Sequence, residues 1–393
     1  MDNAILILNA GSSSLKFALY RVAAPAQFTP LYRGIIEEIG GPSRLRLLLT
    51  PPAEARIDQA IVAASHAAAI RALLDWLAPH LDGLHLIAAG HRVVHGGIEH
   101  AAPVRVDAAV LARLERLIPI DPLHQPHNLA GIRALMQARP ELPQVACFDT
   151  AFHRSLPELA QRFPLPRELF EAGVRRYGFH GLSYEYIASV LPDYLGAQAE
   201  GRVVVAHLGN GASLCAMQQR RSVETTMSFT PLDGLPMGTR CGAIDPAIPL
   251  YLMRERGMDL AAVSELLHQR SGLLGLSGTS SDMRQLLASE RPEAQAAVAH
   301  YAYQVAKTIG ALAVALGGLD ALVFTAGIGE HAAPVRAAIC ARLGWLGLAL
   351  DPVANAAQGP RISQPDSPIS AWVIPTNEEL VIARQAYALA QTG

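Results

Sequence analysis

The chain has 393 residues, more than one ordinary domain holds, which predicts about two to three domains with sizeable cores. Apolar residues make up 51% and charged ones 17%, at a formal net charge of −2. That balance excludes a disordered chain and gives no reason to expect nucleic acid or a membrane as a partner.

Alternating strand and helix patterns predict an α/β architecture. In chain order, strands are expected at Ile5–Leu8 and Lys16–Tyr20, with surface connections at Ala23–Pro30 and Pro51–Ala55 and a helix at Asp58–Ala78. A strand at Leu84–Ala89, helices at Ala108–Leu117 and Leu129–Ala138, and a strand at Gln144–Phe148 follow. One domain is expected to close near Thr150. The remainder carries strands at Val203–His207 and Ala321–Thr325 and helices at Ala294–Leu316 and Ala333–Leu343. The longest apolar stretch, Thr308 to Leu319, is broken by glycines and too short to span a bilayer. Cys147, Cys215, Cys241 and Cys340 form no CxxC pair, so a reducing cytoplasm fits better than a disulfide framework or a zinc knot. The stretch Met1-Asp2-Asn3 does not read as a secretory signal.

Ile5–Tyr20 and Val203–Gln218 share a plan: an apolar strand, a turn of small residues, a second strand, with Ser213-Leu214 falling where Ser14-Leu15 fall. Two unrelated hairpins would give this, and so would a duplication that places a cleft between two similar domains. Both turns suit an anion. Asn9-Ala-Gly-Ser-Ser-Ser-Leu-Lys16 offers backbone N–H groups and hydroxyls without the spacing of a P-loop, and His207-Leu-Gly-Asn-Gly-Ala-Ser213 repeats the logic. A third turn, Thr325-Ala-Gly-Ile-Gly-Glu330, follows a strand and opens a helix, an arrangement that favours a nucleotide phosphate. One such turn is weak evidence; three after strands in one chain are stronger.

Arg92, in Gly90-His-Arg-Val-Val-His-Gly-Gly97, and Arg240, in Gly238-Thr-Arg-Cys-Gly242, sit among glycines and suit bidentate contact with carboxylate or phosphoryl oxygens, although a solvated surface charge is the commoner fate of an arginine. Asp149, at a strand end, and Glu378 are each either a structural cap or a magnesium ligand. His91, His95 and His100 lie close together in sequence, yet no HExxH or paired Cys/His spacing supports a metallohydrolase. His124, His180 and His207 read as hydrogen-bond donors to a charged oxygen or as satisfied buried histidines. This equipment suits phosphoryl transfer to a carboxylate, which is already ionised and needs no general base.

At these residues the sequence resembles the acetokinase family of the acetate and sugar kinase, Hsp70 and actin superfamily. The motifs run nearly end to end: NAGSSSLKF (Asn9–Phe17), GHRVVHGG (Gly90–Gly97), FDTAFH (Phe148–His153), RRYGFHG (Arg175–Gly181), HLGNGAS (His207–Ser213), FTPLDGLPMGTR (Phe229–Arg240), AGIGE (Ala326–Glu330) and IPTNEEL (Ile374–Leu380). The resemblance implies duplicated actin-like, ribonuclease H-like βββαβαβα domains with an interdomain cleft: residues 1–150, with a helix at about 383–393 packing back on them, and residues 151–382, which would bind nucleotide and dimerise. It implies reversible, direct in-line transfer of the ATP γ-phosphoryl group to acetate, giving acetyl phosphate and ADP, in a cytoplasmic homodimer. Magnesium, replaceable by manganese, would be held by Asn9 and Glu378. Asp149, His180, Arg240 and Arg92 would be catalytic, with His180 and Arg240 stabilising the transition state and Asp149 helping to organise the metal. Arg92, Val94, Leu123, Phe179 and Pro231 would bind the acid. ATP would be bound by Asn9, Ser12, Ser14, Lys16, His207, Leu208, Gly209, Asn210, Gly211, Asp282, Met283, Arg284, Ala326, Gly327, Ile328, Gly329 and Glu330.

The family pattern HGTSH is replaced by His180-Gly-Leu-Ser-Tyr184; Gln125 stands where the family has Asn, Cys241 where it has Ser, and Ala243 where it has Asp. These departures bear on rate and substrate preference. Propionate or butyrate as the acid, set by the room at Val94, and an actin-like nucleotide-binding module without useful turnover are the alternatives.

Overall fold

β1 (Asn3–Ala10) reads Asn-Ala-Ile-Leu-Ile-Leu-Asn-Ala, an apolar run without alternation, as expected of a strand covered on both faces. The computed structural model describes residues 2–23, 27–49, 56–81 and 83–391, and in it Ala4–Leu8 are buried. Contacts divide the chain into two units: Met1–Phe152 with Asn377–Gly393, and His153–Thr376.

The first unit is built on an eight-stranded sheet. Its strands are β1, β2 (Leu15–Ala23), β3 (Gln27–Glu37), β4 (Arg44–Leu49), β5 (Arg56–Ala60), β6 (His85–Val93), β7 (Val104–Arg105) and β8 (Gln144–Phe148), in the order β5-β4-β3-β2-β1-β6-β8-β7. Ala4, Leu6, Leu8 and Ala10 share one face and pack with Ala69, Ile70, Leu73 and Leu77 of the helix His66–Leu77. The helix Glu378–Ala390 also packs against β1, β6 and β8. Gly90 is required there, because a Cβ would lie 2.4 Å from Ile382 Cγ2.

The second unit holds β9 (Arg202–Leu208), β10 (Ala212–Gln218), β11 (Arg221–Thr225), β12 (Ala321–Thr325) and β13 (Ser370–Val373), in the order β11-β10-β9-β12-β13. The helix Pro292–Leu316 covers β9, β10 and β11. Ala321–Phe324 and Val203–Ala206 are each wholly buried, as adjacent parallel strands in the middle of a mixed sheet should be.

The two sheets share one plan. In each, a hairpin and a third strand run antiparallel, and the hairpin's first strand then pairs in parallel with a later strand that pairs in parallel with a fifth: β3-β2-β1-β6-β8 and β11-β10-β9-β12-β13. The likeness of the two hairpins is therefore duplication, and the fold is the duplicated actin-like one.

The structure also corrects local expectations. The helix expected at Asp58–Ala78 exists only as His66–Leu77; residues 56–60 instead form β5 against β4, and the Ser65 hydroxyl accepts from the Ala68 N–H to start the helix. Gln27–Pro30 belong to β3, whereas residues 24–26 and the expected connection Pro51–Ala55 lie outside the described residues. The returning segment starts at Asn377 and its helix at Glu378, where the sequence placed it near 383. No helix among the described residues is long and apolar enough to cross a membrane.

Candidate active site

In the first unit, ladder pairing carries Asn9 opposite Lys16, so the small-residue turn closes tightly: Gly11 N–H donates to the Ser14 carbonyl at 2.8 Å. Ser12, Ser13 and Lys16 remain exposed beside it. Asn128, from the helix Gln125–Ala138, donates through Nδ2 to the Ala10 carbonyl (2.8 Å) and accepts at Oδ1 from the Val94 N–H (2.9 Å). It thus ties the ends of β1 and β6 together. Sequence reading passed over Asn128; a polar residue on the buried side of an apolar helix was the available signal.

β6 and β8 pair in parallel with Arg92 opposite Cys147, and the Asp149 N–H donates to the Val93 carbonyl at 3.1 Å. That register brings Arg92 and Asp149 together. Arg92 Nε donates to Asp149 Oδ1 at 3.1 Å and Nη2 to Oδ2 at 2.6 Å. Glu378 opens the last helix with Oε2 3.9 Å from Arg92 Nε. Burial works against the Arg92 cation, but Asp149 and then Glu378 outweigh it and hold its pKa above the ordinary value. The bidentate grip leaves the Nη1/Nη2 end of the guanidinium for a second carboxylate.

The donors present suit magnesium better than a metal that needs a full protein cage. Among the described residues no group of three or more His, Cys, Asp or Glu side chains stands together, so an all-protein cage is absent. Magnesium does not need one: it commonly takes one or two carboxylates and completes its shell with water and substrate phosphate. Asp149 is engaged by Arg92 at both oxygens, while Glu378 and the amide of Asn9 are hard oxygen donors in the same unit. They fit.

The clustered histidines form no centre. His91 Nε2 bonds Gln144 Oε1 (2.8 Å), His95 Nδ1 accepts from the Gly97 N–H (2.9 Å), and His100 stacks on Phe148. Gln125 clamps the His95 backbone, accepting from its N–H at 3.3 Å and donating to its carbonyl at 3.1 Å. Val94 is half-buried and Leu123 is 40% exposed, both in the first unit.

The second unit gathers a different set. Ser213 stands opposite His207 across the β9–β10 ladder. His180 enters in the left-handed region (φ 57°) at the head of the helix Gly181–Leu195, and its ring stacks on His207 at 4.1 Å. Its Nδ1 lies 2.8 Å from Ser213 Oγ, which is also 2.5 Å from the Tyr184 hydroxyl. His207 Nδ1 meets Ser183 Oγ at 2.8 Å, and Ser183 meets Thr376 Oγ1 at 2.9 Å. Neither this helix nor the links through Ser183, Tyr184 and Ser213 were expected; Gly181 and Pro192 within it hide its periodicity.

Arg240 is anchored by donating from Nη1 to the Pro231 carbonyl at 2.7 Å. A Cβ placed on Gly211 would lie 3.2 Å from Arg240 Nη2 and 3.2 Å from His180 Nε2. Gly211 therefore marks one point at which an arginine and a histidine converge. Asn210 is held nearby, its carbonyl accepting from the Gly238 N–H at 3.0 Å, and Gly238 has no room for a side chain, since a Cβ would sit 2.1 Å from Asn210 Oδ1. Leu208 and Phe179 are buried, and the Phe179 carbonyl accepts from His153.

Asp282 and Arg284 pair with each other: Nη2 to Oδ2 is 2.7 Å, and Asp282 caps the helix that begins at buried Met283. The hydrogen bond from Arg284 holds the Asp282 carboxyl below the usual range. In the third turn, Ala326 takes φ 64° and Glu330 Oε1 accepts from the N–H groups of Ala326 (2.8 Å) and Thr376 (3.2 Å). Glu330 thus braces this turn, with Gly327, Ile328 and Gly329 between its anchor points.

The family model described as the acetokinase family matches residues 4–384. The acetate kinase of Rhodopseudomonas palustris is 52% identical, covering 100% of both chains. Among solved structures, Porphyromonas gingivalis acetate kinase superposes with a TM-score of 0.89 at 36% identity, covering 98% of this chain and 99% of its own. A propionate kinase from Francisella tularensis superposes with a TM-score of 0.91 at 38% identity, with the same coverage. Match length and identity together show that the chain belongs to the acetokinase family of carboxyl-group phosphotransferases.

Proposed function

We propose that the chain transfers the γ-phosphoryl group of ATP to acetate, reversibly and in line, giving acetyl phosphate and ADP. The observation that carries this reading is the convergence of Arg240 Nη2 and His180 Nε2 beside Gly211. A transferring phosphoryl group spreads negative charge over its equatorial oxygens, and two fixed donors aimed at one point stabilise that charge where it develops. The Arg92 guanidinium, held side-on by Asp149, presents its other end to the acid's carboxylate and offsets the repulsion between two anions. Asn9, Ser12, Ser14 and Lys16, with residues 207–211, 282–284 and 326–330, hold the nucleotide. Asn9 and Glu378 would hold magnesium, which supplies positive charge to the phosphate oxygens.

The test is acyl phosphate trapped as its hydroxamate with acetate, ATP and magnesium. Folded protein that yields none overturns the proposal. A second reading, propionate as the acid, is favoured by the structural likeness to a propionate kinase. Val94 decides between them, since one methylene is worth about 1–3 kcal/mol in an apolar pocket. A kcat/KM for propionate above that for acetate would install the second reading. A homodimer belongs to the same proposal; Ile248, Leu250, Tyr251 and Met253 stand exposed on one short helix, and light scattering that returns a monomer removes it.

A further inference from the structure

Tyr184 stands where the family pattern has His, and it is completely buried. Its hydroxyl lies 2.5 Å from Ser213 Oγ, and Ser213 Oγ lies 2.8 Å from His180 Nδ1. Among the described residues these are the two side-chain partners of the Ser213 hydroxyl. A serine hydroxyl has one proton to give, so it donates to one neighbour and accepts from the other. A phenol is a better donor and a poorer acceptor than an aliphatic hydroxyl, and an imidazole nitrogen is the best acceptor of the three. The favoured direction is therefore Tyr184 O–H to Ser213 Oγ, and Ser213 O–H to His180 Nδ1.

We propose that Tyr184 is a positioning residue for phosphoryl transfer: acting through Ser213, it fixes His180 as the tautomer whose proton is on Nε2, the nitrogen that faces Arg240 beside Gly211. The inference rests on the reading of His180 as a donor to the transferring phosphoryl group. With Nδ1 occupied as an acceptor, Nε2 must carry the ring proton and present an N–H to a negative oxygen. The opposite tautomer would present a lone pair there, and a donor would become a repulsive contact. Burial raises the phenol's pKa well above its ordinary value, so Tyr184 keeps the proton it donates to Ser213. Two further contacts fix the ring plane. His180 stacks on His207 at 4.1 Å, and His207 is itself held by Ser183, the residue before Tyr184. Consecutive residues of one helix turn therefore secure both rings of the stack.

The first measurement is made on the native protein. Long-range proton–nitrogen correlation on ¹⁵N-histidine-labelled enzyme, with His180 assigned from the spectrum of His180→Asn, is expected to show a protonated Nε2 and an unprotonated, hydrogen-bonded Nδ1. A protonated Nδ1 overturns the proposal. The second measurement is Tyr184→Phe, which keeps the ring and removes only the hydroxyl. Its kcat should fall by about tenfold to hundredfold, less than deleting a transition-state donor outright, while KM for ATP stays within about threefold. The His180 nitrogen pattern should change with it. An unchanged kcat, or a fall in kcat with an unchanged nitrogen pattern, overturns the relay. The spectrum needs no turnover, so failure of the native enzyme to make acyl phosphate would strike the functional reading and leave the tautomer question separately answered.

Discussion

Arg92 meets Asp149 side-on, Nε to Oδ1 at 3.1 Å and Nη2 to Oδ2 at 2.6 Å, and the carboxylate is only 2% exposed. Asp149→Asn keeps the shape and removes the charge. An amide accepts through one oxygen only, so the guanidinium loses its fixed orientation. KM for acetate should rise about tenfold, a loss of about 1.4 kcal/mol, with KM for ATP nearly unchanged. Steady-state kinetics in both substrates check this; an equal rise in both constants would count against the division of labour.

Gly211→Ala places a methyl group 3.2 Å from Arg240 Nη2 and from His180 Nε2, where it would crowd both nitrogens and any phosphoryl oxygen the proposed transfer brings between them. The Gly211 backbone lies outside the left-handed region, so alanine brings no backbone strain, and both tight contacts fall on side-chain ends that can shift by a few tenths of an ångström. The thermal midpoint should hold while kcat drops by about a hundredfold or more, because a misplacement near 1 Å costs that much. Calorimetry beside the hydroxamate assay separates the two effects.

Glu330→Ala removes the acceptor shared by the N–H groups of Ala326 and Thr376. Leaving these groups unsatisfied should cost about 1–3 kcal/mol in urea-induced unfolding. A variant with native stability and lost nucleotide affinity would show instead that the carboxylate works on the nucleotide.

Acidification should destabilise the fold through His91, His95 and His153. Burial holds each well below the usual histidine value, at about 4. The unfolded chain takes up these protons first, near pH 6.5, so the stability they confer is complete above that value. It is lost progressively as the pH falls toward 4, at roughly 2 kcal/mol per residue by pH 5. Urea midpoints at pH 7 and pH 5 measure the slope, and His91→Gln should flatten it.

The actin-like core was legible wherever an apolar run dictated its own strand: Gln144–Phe148 and Ala321–Thr325 stand where their sequences placed them. The duplication showed as a shared hairpin, and its proof needed the strand order. Long-range pairing hid the rest. Residues 56–60 carry a helix-compatible composition and become a strand because β4 offers an edge. Arg92 and Asp149 were each visible as candidates, but their partnership depends on the β6–β8 register. Tyr184 stood out only as a departure, since its link to His180 runs through Ser213 on a different strand.

The return of residues 377–390 to the first unit has a consequence for biosynthesis. The helix that packs against β1, β6 and β8 is translated after the whole of His153–Thr376. A chain that stops before residue 377 therefore carries every strand of the second unit, while the earlier-made sheet still waits, with Gly90 uncovered, for Ile382. A free chain truncated at residue 376 should present a folded latter portion behind a protease-sensitive leading one, an order of completion opposite to the order of synthesis.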